Sequence, residues 1–337
     1  MHSGLPRRGA IVALTNCSTE ASGEDDIATN TLSKPLTIYA NPMAARGRSR
    51  PRVAAAAARL SANGIDCDVV WSERSGDIEQ GIRNAASKGV RRVVVAGGDG
   101  SVHEAVNGIV ASDAAVELGI LPMGTGNDFA KAAGIPLDGE QACERLIRNL
   151  ASNEQPVVAD VGCINGRYFA NSAGIGFDAR VAAAAARIRL PIGDAVYPIA
   201  LLGLAARGLA SAPVRIRLRK PGAENAVDVG LDGPTLLVNF ANGFVEGGRF
   251  RLAPHARIDD GQLDFVHVAP VSLPRLLALL PRIMRGDHLE EPEVTCEPVA
   301  GCVLECDSAL PSHLDGELQQ PTRRFELSLA RGALRIL

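Results

Sequence analysis

The sequence predicts an α/β protein in two parts: a parallel sheet wrapped by helices, then a β-rich, sandwich-like half. Three observations carry this. Short β-branched runs alternate with Ala-rich helical ones in the first half, and two of those runs end in glycine-rich turns. Beyond Gln155-Pro156 the pattern changes to short period-2 segments bounded by Gly, Pro and Asp, which is antiparallel grammar. A chain of 337 residues also exceeds the usual size of one hydrophobic core. The expected organisation is a flexible leader over residues 1–34, an α/β domain over 35–156 and a β-rich domain over 157–337, whose last strand is free to pack back on the first domain.

In chain order, the first half reads as strand Leu36 to Ala40, helix Val53 to Ala62, strand Cys67 to Trp71 and helix Ile78 to Lys88. Strand Arg92 to Ala96, helix Glu104 to Ala111 and strand Leu118 to Leu121 follow. Val93-Val94-Val95-Ala96 is continuously apolar, as a parallel strand covered on both faces must be. In the second half, strands are expected at Arg167 to Ala170, Val214 to Arg219, Thr235 to Asn239, Leu263 to Val268, Val299 to Cys306, Arg324 to Leu329 and Ala333 to Leu337. Val214 to Arg219 interleaves apolar residues with Arg215, Arg217 and Arg219, one face buried and one solvated. Helical stretches interrupt at Val181 to Arg189, Ala195 to Leu209 and Leu273 to Arg285.

Composition removes several function classes. A net charge of -3 supplies no basic field for a phosphate backbone, so nucleic acid is not an expected partner. The 7 cysteines show no metal-ligand spacing and read as reduced, cytoplasmic packing residues. Arg7 and Arg8 precede only Ala10 to Leu14 before polar residues resume, too short for a signal peptide.

The chemistry gathers at the two glycine turns. Gly97-Gly98-Asp99-Gly100-Ser101 follows a buried strand and opens a helix, so backbone can approach phosphate oxygens at a helix N-terminus. Asp99 cannot bind phosphate itself and makes sense there with Mg²⁺ between; the plainer alternative is a tight turn capped by Ser101. Pro122-Met123-Gly124-Thr125-Gly126-Asn127-Asp128 repeats the logic. Strand C-termini of a parallel sheet share one edge, so the two loops converge on one crevice, where Thr125 and Asn127 can reach phosphate or ribose. No Walker-type loop occurs. A Rossmann-like Gly174-Ile175-Gly176-Phe177-Asp178-Ala179 with Asp194 downstream lacks the parallel-strand context that dinucleotide binding needs.

Taken together, these segments closely resemble the diacylglycerol kinase catalytic family, in the bacterial lipid-kinase branch related to sphingosine and ceramide kinases. The likeness runs from residue 36 to 337 through six ordered motifs: Asn41-Pro42; Gly97-Gly98-Asp99-Gly100 with Ser101 where the family usually has Thr; Pro122 to Ala130; Gly174 to Ala179; Ala253-Pro254-His255-Ala256 running into Asp259-Asp260-Gly261; and Leu314-Asp315-Gly316-Glu317. The resemblance implies an N-terminal nucleotide-binding domain like that of NAD kinases and phosphofructokinases and a C-terminal β-sandwich domain. It implies that Asn41, Ser72, Gly97, Gly98, Asp99, Gly100, Ser101, Val102, His103, Gly124, Thr125 and Asn127 contact ATP. It also implies a structural Mg²⁺ held by the Asp260 carboxylate and the carbonyls of Arg257 and Gln262, and a catalytic acidic motif in Asp315 and Glu317.

Phosphoryl transfer asks for positioned phosphates, neutralised charge and a carboxylate at the attacking hydroxyl. Asp99 is expected to organise the catalytic Mg²⁺, and Asp315 or Glu317 to accept the hydroxyl proton; a plain Asp-Gly hairpin turn is the alternative for Asp315-Gly316. The expected substrate is a membrane lipid, diacylglycerol foremost. Val196 to Leu209 is apolar and edged by Arg187, Arg189 and Arg207, which suits a peripheral helix on an anionic membrane surface as well as one packed on the β domain. An NAD kinase-type enzyme and a non-catalytic nucleotide or lipid sensor are the competing readings, and a homodimer is left open.

Overall fold

The computed structural model describes residues 35–152, 155–188, 195–223 and 231–337. The leader expected over 1–34, together with Arg189 and Asp194, lies outside the described residues.

Four apolar runs form the parallel half. In chain order its elements are β1 (Leu36–Ala40), α1 (Ala44–Gly47), α2 (Ser49–Ala62), β2 (Cys67–Trp71), α3 (Asp77–Ser87), β3 (Arg92–Gly97), α4 (Asp99–Val110), β4 (Glu117–Pro122), α5 (Asp128–Ala132) and α6 (Gly139–Ala151). β1 lies between β2 and β3, β3 lies between β1 and β4, and all three pairings are parallel. Val93 to Ala96 are fully buried, so the continuous apolar run is a strand covered on both faces. α6 was not anticipated. Its spacing is nevertheless regular: Ala142, Cys143, Leu146 and Leu150 make one buried stripe, and the Asp138 side chain accepts from the amides of Glu140 and Gln141, an N-cap. The stripe packs on β4 at Gly119, where a Cβ would sit 2.7 Å from Leu146 Cδ1.

The second half contains β5 (Val157–Ile164), β6 (Arg167–Phe169), β7 (Ser172–Gly176), α7 (Phe177–Arg187), α8 (Val196–Ala205), β8 (Ala212–Arg219), β9 (Gly233–Thr235), β10 (Leu237–Ala241), β11 (Leu263–Val268), α9 (Leu273–Arg285), β12 (Val294–Val299), β13 (Gly301–Leu314) and β14 (Glu317–Ile336). One layer is the antiparallel run β7, β10, β11, β12. β13 pairs with β8 through Gly301–Cys306 and with β7 through Ser312–Leu314, shifting register between. It thus passes from one layer to the other. Ile175, Phe240 and Phe265 meet Ile216, Leu304 and Phe325 in the core between them, the aligned interior of a β-sandwich.

Several expected boundaries move. α7 starts at Phe177 directly off β7, not at Val181. The strand expected over Thr235–Asn239 is broken at Leu236, and that over Val299–Cys306 at Ala300. Arg324–Leu329 and Ala333–Ile336 belong to the single strand β14, with a register shift between Ala330 and Leu334 where Gly332 adopts φ 57. β14 runs beside β13, then beside β5, and ends parallel to β4 through Arg335 and Ile336. The hairpin at its start is therefore tied by one strand to the parallel sheet. None of the described cysteines is paired, and Cys302 and Cys306 are buried, as packing residues are.

Candidate active site

The two glycine loops touch backbone to backbone. A Cβ on Gly98 would lie 2.9 Å from the Cα of Gly124, and one on Gly124 would lie 2.5 Å from the Cα of Gly98. Neither position accepts a side chain without moving main chain. The contact follows from β3 and β4 being parallel neighbours whose C-terminal ends share an edge. Beside it runs a groove of ≈ 620 Å³ that collects Asn41, Ser72, Gly98, Gly100, Ser101, Gly124, Thr125 and Glu317. Asn41 follows β1 and Ser72 follows β2, so the same sheet edge delivers them. Glu104, which the sequence reading passed over, also lines this groove. Its carboxylate accepts from the amides of Gly76 and Ile78 and from the Ser75 hydroxyl, fixing the start of α3 against the groove.

Five of the expected nucleotide contacts meet partners within the protein instead. Gly97 lies within β3, and the site of its missing Cβ is taken by the Ser101 side chain. Val102 faces an apolar cavity instead. The His103 ring is buried and bonded to Asp315. The Asn127 side chain accepts from the Gly124 amide at 2.8 Å and donates to the Gly124 carbonyl at 3.0 Å, so it braces its own loop. Asp99 accepts from the amides of Asn127 at 2.8 Å and Asp128 at 2.7 Å. Each of its oxygens thus takes one amide of the second glycine loop. Burial, and after it the Asp128 charge, pushes the Asp99 carboxyl up to about 7.

Asp315 and Gly316 connect β13 to β14 with φ 51 and φ 86. Two successive positive φ values make the primed hairpin turn that Asp-Gly favours. The turn is also functional in its geometry. Asp315 Oδ1 accepts from the amides of Asn171 and Ser172, and Oδ2 from the Ala170 amide and His103 Nδ1. Four donors fill the lone-pair directions of a carboxylate, so Asp315 organises the turn. Glu317 differs. It is exposed, and its Oε1 lies 2.5 Å from where a Cβ on Gly100 would stand, directly over the first glycine loop.

An apolar cavity backs this wall. Val102, Phe129, Phe177, Leu201, Leu276 and Ile283 line it, and at its polar end stand Asp99, Asp128, Asp178, Glu246, His313 and Asp315. Asn239 Nδ2 donates to Asp178 Oδ2 at 3.1 Å and to Glu246 Oε2 at 2.7 Å. His313 Nε2 is 3.4 Å from Asp178 Oδ2 and 3.0 Å from Glu246 Oε1. These three ligand types could suit a cation, but the tautomer opposes it. The Gly316 amide donates to His313 Nδ1 at 3.2 Å, so the ring proton sits on Nε2, facing the carboxylates. Burial works against charge on His313, while the Asp178 and Glu246 carboxylates outweigh it and raise its affinity for protons. The sequence named Asp178 only as part of a motif and missed Glu246 and His313, which are far apart in the chain and lack a shared spacing. Gly174 makes the cluster possible, because a Cβ there would collide with the Asp178 carboxylate and the His313 ring.

At the foot of β11, Asp260 lies in an exposed turn and accepts from the Gln262 amide at 3.3 Å and from Gln262 Nε2 at 3.0 Å. The Arg257 guanidinium pairs with Asp259, leaving the expected Mg²⁺ contact of Arg257 to its carbonyl. Asp160 supports the turn by accepting from the amides of Gly261 at 2.7 Å and Gly332 at 2.8 Å. Among the described residues no helix is long and apolar enough to cross a membrane.

Residues 35–157 match the profile of the diacylglycerol kinase catalytic domain, and residues 171–337 that of the YegS C-terminal NAD kinase beta sandwich-like domain. A Mycobacterium tuberculosis protein named diacylglycerol kinase is 31% identical over 307 residues, spanning 90% of this chain and 94% of that one. A Bacillus subtilis protein of the same name is 27% identical over 289 residues, spanning 84% and 90%. The crystal structure of a diacylglycerol kinase from Bacillus anthracis superposes with a TM-score of 0.68 at 22% identity, covering 90% of this chain and 96% of that one.

Proposed function

The chain belongs to the diacylglycerol kinase catalytic family and is a lipid kinase, and from that premise we propose that it transfers the γ-phosphate of ATP to the free hydroxyl of a diacylglycerol, giving phosphatidic acid. One observation carries the reading. Successive residues line opposite sides of a single wall: Asp99 and Gly316 border the apolar cavity, while Gly100 and Glu317 border the glycine-rich groove. A nucleotide in the groove and a lipid in the cavity would meet there.

The chain's own residues supply what phosphoryl transfer needs. The amides of Gly98 and Gly100, on the first glycine loop, can hold phosphate oxygens, with Ser101 and Thr125 hydroxyls beside them. Glu317 is the carboxylate that accepts the lipid hydroxyl proton. Asp315 positions Glu317 by fixing the turn before it. Asp99 braces the two glycine loops together. Mg²⁺ bound with the nucleotide would neutralise phosphate charge, and the hard oxygens of Asp99 and Glu317 at this wall are of the kind it prefers. A second, structural Mg²⁺ would be held by Asp260 with the carbonyls of Arg257 and Gln262.

The cavity disfavours the competing acceptor. NAD⁺ would place a ribose and charged phosphates against Phe129, Phe177, Leu201, Leu276 and Ile283, whereas acyl chains gain about 0.8 kcal/mol per CH₂ buried there. Incubation with γ-labelled ATP, Mg²⁺, and diacylglycerol or NAD⁺, followed by thin-layer separation, tests the proposal. Label in phosphatidic acid is expected. Label in NAD⁺ in preference to every lipid, or in no acceptor at all, overturns it.

A further inference from the structure

We propose that Asp178, Glu246 and His313, with the Tyr197 hydroxyl, form a headgroup filter that admits an uncharged, hydroxyl-bearing acylglycerol and rejects phospholipid heads that carry a phosphate. The inference rests on the lipid-kinase reading and specifies its substrate class.

The observations concern the inner end of the apolar cavity. Five carboxylates line it, Asp99, Asp128, Asp178, Glu246 and Asp315, and no Lys or Arg does so among the described residues. Lys131 Nζ is held at the cavity edge by Asp128 at 3.1 Å and by the Gly248 carbonyl at 2.9 Å. A phosphate diester entering this end would lose its hydration and meet a cluster of carboxylates with the His313 imidazole as the one basic group among the described lining residues. Both effects disfavour it, and an opposing element of this kind discriminates more strongly than a missing attraction.

The same end is not sealed by internal bonds. His313 is 1% exposed, yet its Nε2 has no aligned hydrogen bond, because Glu246 Oε1 at 3.0 Å lies off the N–H direction. Asn239 Oδ1, on the residue whose Nδ2 bridges the two carboxylates, is likewise buried without a partner. The Tyr197 phenol lines the cavity beside them and keeps its proton, since burial first, then the Asp99 charge, raises its pKa. The subsite thus offers carboxylate acceptors to a hydroxyl and two donors, Tyr197 O–H and His313 Nε2–H, to an ester carbonyl. A neutral acylglycerol presents both partners. A phosphate presents acceptors alone.

The filter is separate from membrane docking. Phosphatidylglycerol in a bilayer can draw the enzyme to the surface and still fail as a substrate. To separate these effects, all lipids are offered in zwitterionic detergent micelles. Monoacylglycerol and phosphatidylglycerol both end in a vicinal diol and differ at this point by the phosphate. With wild-type enzyme, kcat/KM for monoacylglycerol and diacylglycerol is expected to exceed that for phosphatidylglycerol by at least about tenfold, as a mismatched buried polar site discriminates. In Asp178→Asn with Glu246→Gln, which keeps shape and removes charge, turnover of the neutral lipids falls and the preference narrows at least about threefold. A merely structural defect would lower all three lipids together. Phosphatidylglycerol turned over as well as monoacylglycerol by wild type overturns the filter without touching the kinase reading. A preference unchanged in the folded double variant overturns it too. Turnover of no lipid overturns both.

Discussion

His103 on α4 donates from Nδ1 to the Oδ2 of Asp315, 2.9 Å away in the hairpin between β13 and β14. The bond joins the helix that follows the first glycine loop to the turn that carries Glu317. Asn107, one helical turn on, bonds the backbone of Tyr168 from both ends of its amide, so the same face of α4 grips the β-rich half twice. For His103→Ala, kcat is expected to fall on the order of tenfold or more while the KM for ATP changes little, because a positioning residue is lost and not a nucleotide contact. Asp315 keeps three amide donors but loses a buried partner, which costs about 1–3 kcal/mol. Steady-state kinetics with a melting curve checks both, and a rise in ATP KM with unchanged kcat would return His103 to the nucleotide site.

Glu317→Gln should lower kcat on the order of 10²–10⁴-fold, the span of a lost general base. Glu317 is exposed and accepts no hydrogen bond that holds the fold, so the melting temperature should stay put. Single-turnover rates with saturating ATP separate the chemical step from binding. Near-normal rates would remove the base assignment.

Much of this was legible in the chain. The strand Val93 to Ala96 announced itself as an unbroken apolar run, and the convergence of two glycine loops followed from strand polarity alone. What the sequence could not disclose was the direction of side chains within those loops. Asp99, Asn127 and His103 sit in phosphate-binding motifs, yet each is spent on a partner distant in the chain or on its own loop. The Asp178, Glu246 and His313 cluster was hidden for a related reason. It is assembled by α7, the loop after β10 and the end of β13, and long-range pairing leaves no local period to read. α6 was missed even though its stripe was regular and its Asp138 cap stands in the chain just before it.

Asp99 makes stability depend on pH. Its carboxyl is raised to about 7, by burial first and then by the Asp128 charge, so the folded protein holds this proton more tightly than the unfolded chain. The resulting stabilisation is complete below the ordinary carboxyl pKa and is lost as pH rises through about 7. Asp99→Asn cannot ionise. Whatever constant offset the amide brings, the variant should gain on wild type by on the order of 1–3 kcal/mol between about pH 5 and 8. Denaturant melts of the two proteins across that range measure the difference. A gap that stays flat, or that closes toward high pH, contradicts the raised carboxyl.

The Asp260 turn is expected to carry a structural ion. An ion that binds only the native state stabilises by mass action, about 2.7 kcal/mol at a hundredfold excess over Kd. Wild-type protein should therefore melt higher with Mg²⁺ than with chelator. Asp260→Ala should melt at the lower temperature in both conditions. Equal melting of the wild type with and without the ion would leave Asp260 as a surface turn braced by Gln262.

A lipid drawn from a membrane into the cavity would pass between α8 and α9. Their inner faces give Tyr197, Leu201, Leu276, Leu280 and Ile283 to the cavity wall. Their outer faces leave Ile199 49%, Leu202 44% and Leu277 44% exposed. α8 is apolar on both sides, which is unusual in water, and an interface that buries the outer face relieves it. Arg187 and Arg207 are exposed at the ends of α7 and α8, where each would contribute about 1 kcal/mol near an anionic surface. Replacing both with Gln should weaken binding to phosphatidylserine-containing vesicles on the order of tenfold, with the defect shrinking as salt screens the charges. Leu277→Asp should weaken binding at any ionic strength, because it removes burial and adds a charge to the same face. Vesicle flotation at low and high salt, with ATP binding measured in parallel, separates the two contributions. Undiminished flotation of both variants would mean that the enzyme meets its lipid through another surface.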